Sequence, residues 1–158
     1  MYNTSNLTRI VLVAFASLIL TACATQKKSD SGMLQSDVYT GSDTISFLAT
    51  GVKDRVFFAT NKSTLTTASR ETLRSQAAWM RKKKDQTFTI EGHADERGTR
   101  EYNLALGERR ANAVKDYLMT YGISANRLTV ISYGKERPIN SGSSPLAWSQ
   151  NRRSVTIK

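Results

Sequence analysis

Apolar positions along residues 45–158 switch between a spacing of two and a spacing of three to four, and the switches predict a series of short elements. DRVFFA at 54–59 is a short apolar run that predicts a strand. Leu73, Ala77 and Met80 then fall at helical spacing behind Thr66 and Thr67, either of which offers a capping hydroxyl, so a helix is predicted to near Lys84. TFTIEG at 87–92 alternates, with Phe88 and Ile90 on one face, and predicts a second strand followed by the polar loop HADERGT. From about Arg100 to Tyr121, the residues Leu106, Arg110, Ala113, Val114, Tyr117, Leu118 and Tyr121 form one stripe of a long helix that Gly122 is placed to end. LTVISY at 128–133 predicts a third strand, Pro138 and Pro145 bracket a loop, and SVTIK at 154–158 predicts a last short strand. The order is that of a two-layer α/β domain: a small mixed sheet with helices packed on one face, a βαβαβ core plus a terminal strand.

The chain ahead of this domain has a different character. Residues Ile10 to Leu20 are uncharged and mostly apolar behind Arg9, too short a run to span a bilayer but suited to an export signal cut after Ala22. LTAC at 20–23 resembles the bacterial lipobox, which implies that Cys23 becomes an acylated N-terminus. Several acyl chains on one residue hold a protein stably at a membrane. Ala24 after the Cys, where Asp would signal retention, implies sorting to the outer membrane with the domain facing the periplasm. Residues 24–44 are rich in Ser, Thr, Asp, Lys and Gly without a sustained period and read as a tether, although part of it, around Val38 to Thr44, is equally suited to packing on the domain. The expected organisation is a signal peptide at 1–22, a lipidated Cys and tether at 23–44, and one domain at 45–158.

Composition narrows the function. The formal net charge is +10, and removal of residues 1–22 takes away only Arg9, so the exported part keeps 22 minus 13, or +9. Such a balance suits a polyanion; nucleic acid is chemically allowed but remote for an exported chain. The single Cys excludes an internal disulfide or a cysteine-built zinc site. With one His, a catalytic triad or metal cage would have to rest on His93 alone, so neither an enzyme nor a cofactor or metal is expected. His93 is expected to hold its loop and to titrate near neutrality, and RKKK at 81–84 reads as a solvated helix end.

Arg110 interrupts the apolar stripe of the long helix. A core-facing guanidinium must be paired or hydrogen-bonded, because an isolated buried charge costs several kcal/mol. Asp95, in the loop just upstream, is the candidate partner. Two readings stay open at this point: a structural salt bridge, or a carboxylate and a guanidinium side by side at a cleft, complementary to the ammonium and carboxylate of a zwitterion.

TIEGHADERGTREYNLALGERRANAVKDYL at 89–118, YGKERPI at 133–139 and NRRSV at 151–155 strongly resemble the peptidoglycan-associated lipoproteins, a branch of the OmpA-like C-terminal domain family. The resemblance covers nearly all of 52–158, and GERRA at 107–111 favours the lipoprotein branch over porin tails and flagellar stator domains. It implies an OmpA-like two-layer sandwich that binds diaminopimelate-type peptidoglycan noncovalently. It further implies a partnership with TolB and other Tol proteins in envelope integrity and cell division. By matching motif position, Asp95 and Arg110 correspond to the family's principal contacts to diaminopimelate. Thr99 and Asn103 match nearby polar contacts, Leu106 a cleft-lining position, and Thr60 with Asn61 the loop bordering the cleft. Ala59 stands where many relatives have an acidic residue, so that contact is expected to be missing.

Overall fold

The computed structural model describes residues 37–158; the leader, Cys23 and most of the tether lie outside them. A small antiparallel hairpin comes first, β1 (Phe47–Ala49) and β2 (Val52–Lys53), turning through Gly51 at a φ of 76° that favours glycine. The main elements follow as β3 (Arg55–Phe57), α1 (Thr67–Lys82), β4 (Phe88–His93), α2 (Arg100–Thr120), β5 (Leu128–Gly134), α3 (Pro145–Asn151) and β6 (Arg153–Ile157). The four-stranded sheet has the order β3-β6-β4-β5. β4 and β5 run parallel because α2 carries the chain back across the sheet, while β6 is antiparallel to both β3 and β4. The sheet is mixed, as expected, and the terminal strand occupies an interior position.

Local chemistry accounts for the helix ends. Thr66 caps α1 by accepting from the Ser69 N–H at 3.1 Å, and Thr99 caps α2 by accepting from the Tyr102 N–H at 3.2 Å. Gly122, at a φ of 81°, follows the end of α2 and donates to the Met119 carbonyl at 2.9 Å. Of the predicted stripe, Leu106, Arg110, Val114 and Leu118 are buried, while Ala113, Tyr117 and Tyr121 lie half-buried at its margin; Asn103, Gly107 and Ala111 complete the buried face of α2. Val114 and Leu118 join Val56, Phe58, Leu73, Met80, Phe88, Ile90 and Leu128 in one core between helices and sheet. Each such large side chain contributes about 1.5–3 kcal/mol on burial.

Two glycines set how closely α2 approaches β4. A Cβ on Gly92 or on Gly107 would collide with the backbone of the other. The start of α2 therefore rests directly on the end of β4, and the connecting loop 94–99 is drawn against the domain.

Two regions differ from the sequence expectation. The stretch bracketed by Pro138 and Pro145 contains α3, for Pro145 sits in its first turn behind the Ser144 cap, whose hydroxyl accepts from the Ala147 N–H at 3.2 Å. A proline's fixed φ and missing N–H suit that position, so its presence was a helix start and not only a breaker. Residues 37–44, assigned to the tether by composition, pack on the domain as a strap. Val38 and Tyr39 are buried, and the Tyr39 ring meets Phe57 edge-on at 4.8 Å. The boundary at residue 45 thus falls inside packed chain. Among the described residues no helix is long and apolar enough to cross a membrane.

Candidate functional site

β4 ends at His93, and the chain then turns through Ala94 to Gly98 before Thr99 opens α2. Several bonds fix this loop. Ala94 donates to the Gly134 carbonyl at 2.7 Å, Asn103 Nδ2 to the Arg97 carbonyl at 2.8 Å, and Lys135 Nζ to the Gly98 carbonyl at 2.7 Å. Facing it is the turn after β3, where Asn61 adopts a φ of 57°.

Arg110 joins the two loops from beneath. Its Nε donates to the Lys62 carbonyl at 2.9 Å, Nη1 to the His93 carbonyl at 2.7 Å and Nη2 to the Ala59 carbonyl at 3.0 Å. The residue has no solvent exposure. Burial pushes its pKa down to about 10, with Arg152 adding to that and Asp95 opposing it, so it stays charged at neutral pH. Bonds to carbonyl oxygens, rather than an ion pair, satisfy this buried cation.

Asp95 lies nearby but is not Arg110's partner. Its carboxylate is held by Arg97, with Nη2 at 2.7 Å and Nε at 3.1 Å, and by Arg152 Nη1 at 3.3 Å. Burial works to raise its pKa, but the hydrogen bonds from Arg97 and Arg152 prevail and hold the carboxyl below its ordinary range. The structural salt-bridge reading of the pair needs correction. No Asp95–Arg110 salt bridge exists among the described residues, and Arg110 is a covered brace instead of an open fork. The helical stripe located Arg110 correctly in the core-facing row. It carried no information about three carbonyl oxygens supplied by loops far away in sequence.

The other expected site residues divide by role. Thr60 and Asn61 lie on the loop clamped by Arg110, and Thr60 Oγ1 accepts from Arg97 Nη2 at 3.3 Å. Asn103 is buried and positions the Arg97 backbone, and Thr99 caps α2 with its side chain. Leu106 is buried at 3% exposure and presents almost no surface in this structure.

Residues not anticipated from sequence complete the site. Arg97 is half-exposed, straddles Asp95 and stacks on Trp148 with its guanidinium carbon 4.3 Å from the ring centre. The Trp148 indole donates to Glu96 Oε1 at 2.8 Å. Of the two arginines in NRRSV, Arg152 points into the site, whereas Arg153 is buried elsewhere and donates to the Arg137 carbonyl. Asp37, from the strap, accepts from the Thr60 N–H at 2.7 Å and stands 3.7 Å from Arg152 Nη2. DERG in one loop was the available signal for Arg97; nothing local marked Asp37.

His93 departs from expectation. It is buried, and neither ring nitrogen has a hydrogen-bond partner; Glu91 Oε2 stands 3.5 Å from Nε2. Burial, reinforced by Arg153, Arg137 and Arg55, lowers its pKa to about 3, so it is neutral throughout the physiological range and does not switch there.

The OmpA family profile matches residues 57–152, which contain both loops and the whole of α2. The chain belongs to the OmpA family. Within that family, proteins named peptidoglycan-associated lipoprotein are similar over almost the full length. The one from Brucella melitensis is 42% identical, with 94% of this chain and 90% of that protein covered. The one from Pasteurella multocida is 37% identical, with 94% and 96% covered. The crystal structure of the peptidoglycan-associated lipoprotein from Burkholderia pseudomallei has the same fold, with a TM-score of 0.65 and 34% identity over 66% of this chain and 89% of that one.

Proposed function

We propose that this chain is an outer-membrane lipoprotein that binds peptidoglycan noncovalently through the diaminopimelate of its stem peptide and so links membrane to wall. The observation that carries the reading is the Asp95 carboxylate, ionised and covered on its outer side by a half-exposed arginine. An ammonium group can replace the Arg97 guanidinium there without leaving the carboxylate unpaired. The neighbouring carboxylate of the same diaminopimelate tip meets the positive side of the site, where Arg97, Arg152 and Arg110 converge. Direct bonding to Arg110 requires the Thr60–Lys62 turn and Arg97 to part from it, because its nitrogens are engaged with carbonyls in the closed form. Thr60 and Asn61 border the entry, and no bond is made or broken in the ligand.

The names of the relatives and the polar loop end of the fold support this reading. The lipobox supports anchoring through Cys23. From Cys23 to the docked strap at Asp37 the chain spans at most roughly 50 Å when extended, shorter than the sequence boundary implied, and this is the reach available between lipid and domain. By resemblance, TolB and other Tol proteins are further partners in envelope integrity and cell division.

The test is co-sedimentation of the full-length chain, in detergent, with purified sacculi. Diaminopimelate-type wall should retain it, and wall with lysine at that stem position, which lacks the side-chain carboxylate, should not. Asp95→Asn should weaken retention by at least about tenfold, as expected when one member of a desolvated charge pair is removed. Equal retention on both walls would reject the diaminopimelate reading.

A further inference from the structure

Around the mouth of the site the contacts close into a ring. Asp95 binds Arg97 and Arg152. Arg97 Nη2 donates to Thr60 Oγ1 at 3.3 Å. The Thr60 N–H donates to Asp37 Oδ2 at 2.7 Å. Arg152 returns to Asp37, donating through Nη2 to its carbonyl and standing 3.7 Å from its carboxylate.

Four members of this ring come from the domain, whereas Asp37 comes from the strap ahead of it. The strap is held there by the burial of Val38 and Tyr39 on Phe57 and by Gln150 Nε2 donating to Asp43 Oδ2 at 3.0 Å. Asp37 is therefore fixed in place, yet its side chain is 47% exposed, so its charge faces both the ring and the entry. Burial works to raise its pKa, but the Thr60 hydrogen bonds and the Arg152 charge outweigh that and keep it ionised.

Charge bookkeeping gives this placement a consequence. The ring holds two carboxylates, Asp37 and Asp95, against two guanidiniums, Arg97 and Arg152, and Arg110 lies immediately behind as a further cation. With Asp37 present, Arg152 is shared between two acids, and Asp95 retains field to offer an incoming ammonium. Without Asp37 both ring arginines converge on Asp95 alone. The site then becomes attractive to any carboxylate and indifferent to the ammonium beside it.

We propose that Asp37 is a specificity-determining residue of the site: the strap supplies the second carboxylate that makes the mouth select a zwitterion over a simple anion. The proposal rests on the diaminopimelate reading above and deepens it. It also gives the docked strap a binding role beyond that of a spacer.

The experiment measures calorimetric affinity of the full-length chain in detergent for two stem peptides. One ends in meso-diaminopimelate; the other carries 2-aminopimelate at that position and so keeps the side-chain carboxylate but lacks its ammonium. The wild-type chain should prefer the first. Asp37→Asn should shrink that preference by about tenfold, through weaker binding of the first peptide and unchanged or tighter binding of the second, and Asp37→Glu should restore it. A purely structural Asp37 would weaken both peptides in proportion. That outcome, or no change in the ratio while the melting temperature holds, overturns the proposal. Failure of the wild-type chain to bind the diaminopimelate peptide at all removes the underlying reading, and this inference with it.

Discussion

His93 and Asp95 are two residues apart at the end of β4, and both are nearly inaccessible, at 2% and 7% exposure. Their surroundings settle the question of charge in opposite ways. Asp95 turns toward Arg97 and Arg152 and is kept ionised by direct bonds. His93 lies among Arg55, Arg137 and Arg153, with no bond to either ring nitrogen, and is kept neutral by burial and like charge. Burial alone therefore does not decide ionisation; the partners within a few ångströms do. Of the two, Asp95 is the one whose charge is stabilised, between the buried Arg152 and the half-exposed Arg97.

The largest expected effect lies at the link between the two neighbourhoods. Arg110 bonds the His93 carbonyl on one side and the Ala59 and Lys62 carbonyls on the other. Arg110→Ala removes the Arg110 donor from all three, leaving the Ala59 carbonyl only the Lys62 N–H at 3.2 Å, and the domain should lose on the order of 4 kcal/mol in urea unfolding. Wall binding should disappear along with the fold. A variant that stayed fully stable while losing wall binding would instead reveal a direct ligand contact and break the picture of a structural brace.

A smaller effect isolates His93. Its folded pKa of about 3 lies below the ordinary 6.5, so the unfolded chain takes up the proton first as pH falls. The neutral ring's contribution is full above pH 6.5 and is lost progressively from there toward pH 3, at about 1.4 kcal/mol per pH unit. A series of urea midpoints should show this slope between pH 6 and 4.5, and His93→Leu should flatten it. An unchanged slope in the variant would mean that His93 is not the group responsible.

The smallest effect belongs to the mouth. Arg97 is half-exposed, so Arg97→Ala should change thermal unfolding by less than about 1 kcal/mol despite its close pairing with Asp95. A larger loss would make Arg97 a structural element and argue against its displacement by a ligand.

Much of the scaffold was readable in advance because it depends on local chemistry. The Thr66 cap, the Gly122 stop and the α2 stripe all arise from neighbours a few residues apart. The same logic overlooked α3, where Pro145 acts as a starter, and it left the Val38–Thr44 strap undecided because two adjacent apolar side chains, Val38 and Tyr39, give no period. The resemblance identified Asp95 and Arg110 as the positions of interest, and both do lie at the junction of the two loops.

The partners of those residues were not readable. Arg110 reaches carbonyls 17 to 51 positions away, Arg152 binds Asp95 across 57 positions, and Arg152 meets Asp37 across 115. By itself, then, the amino-acid order determined the two long helices, the four strands of the main sheet, the anchor motif and the inward placement of Arg110, since these follow from spacing and capping. Only the tertiary structure decided that Arg110 would be satisfied by backbone and Asp95 by two other arginines. A buried charge takes whichever compensating groups the folded loops bring within hydrogen-bond distance, and that choice is made by packing, not by proximity along the chain.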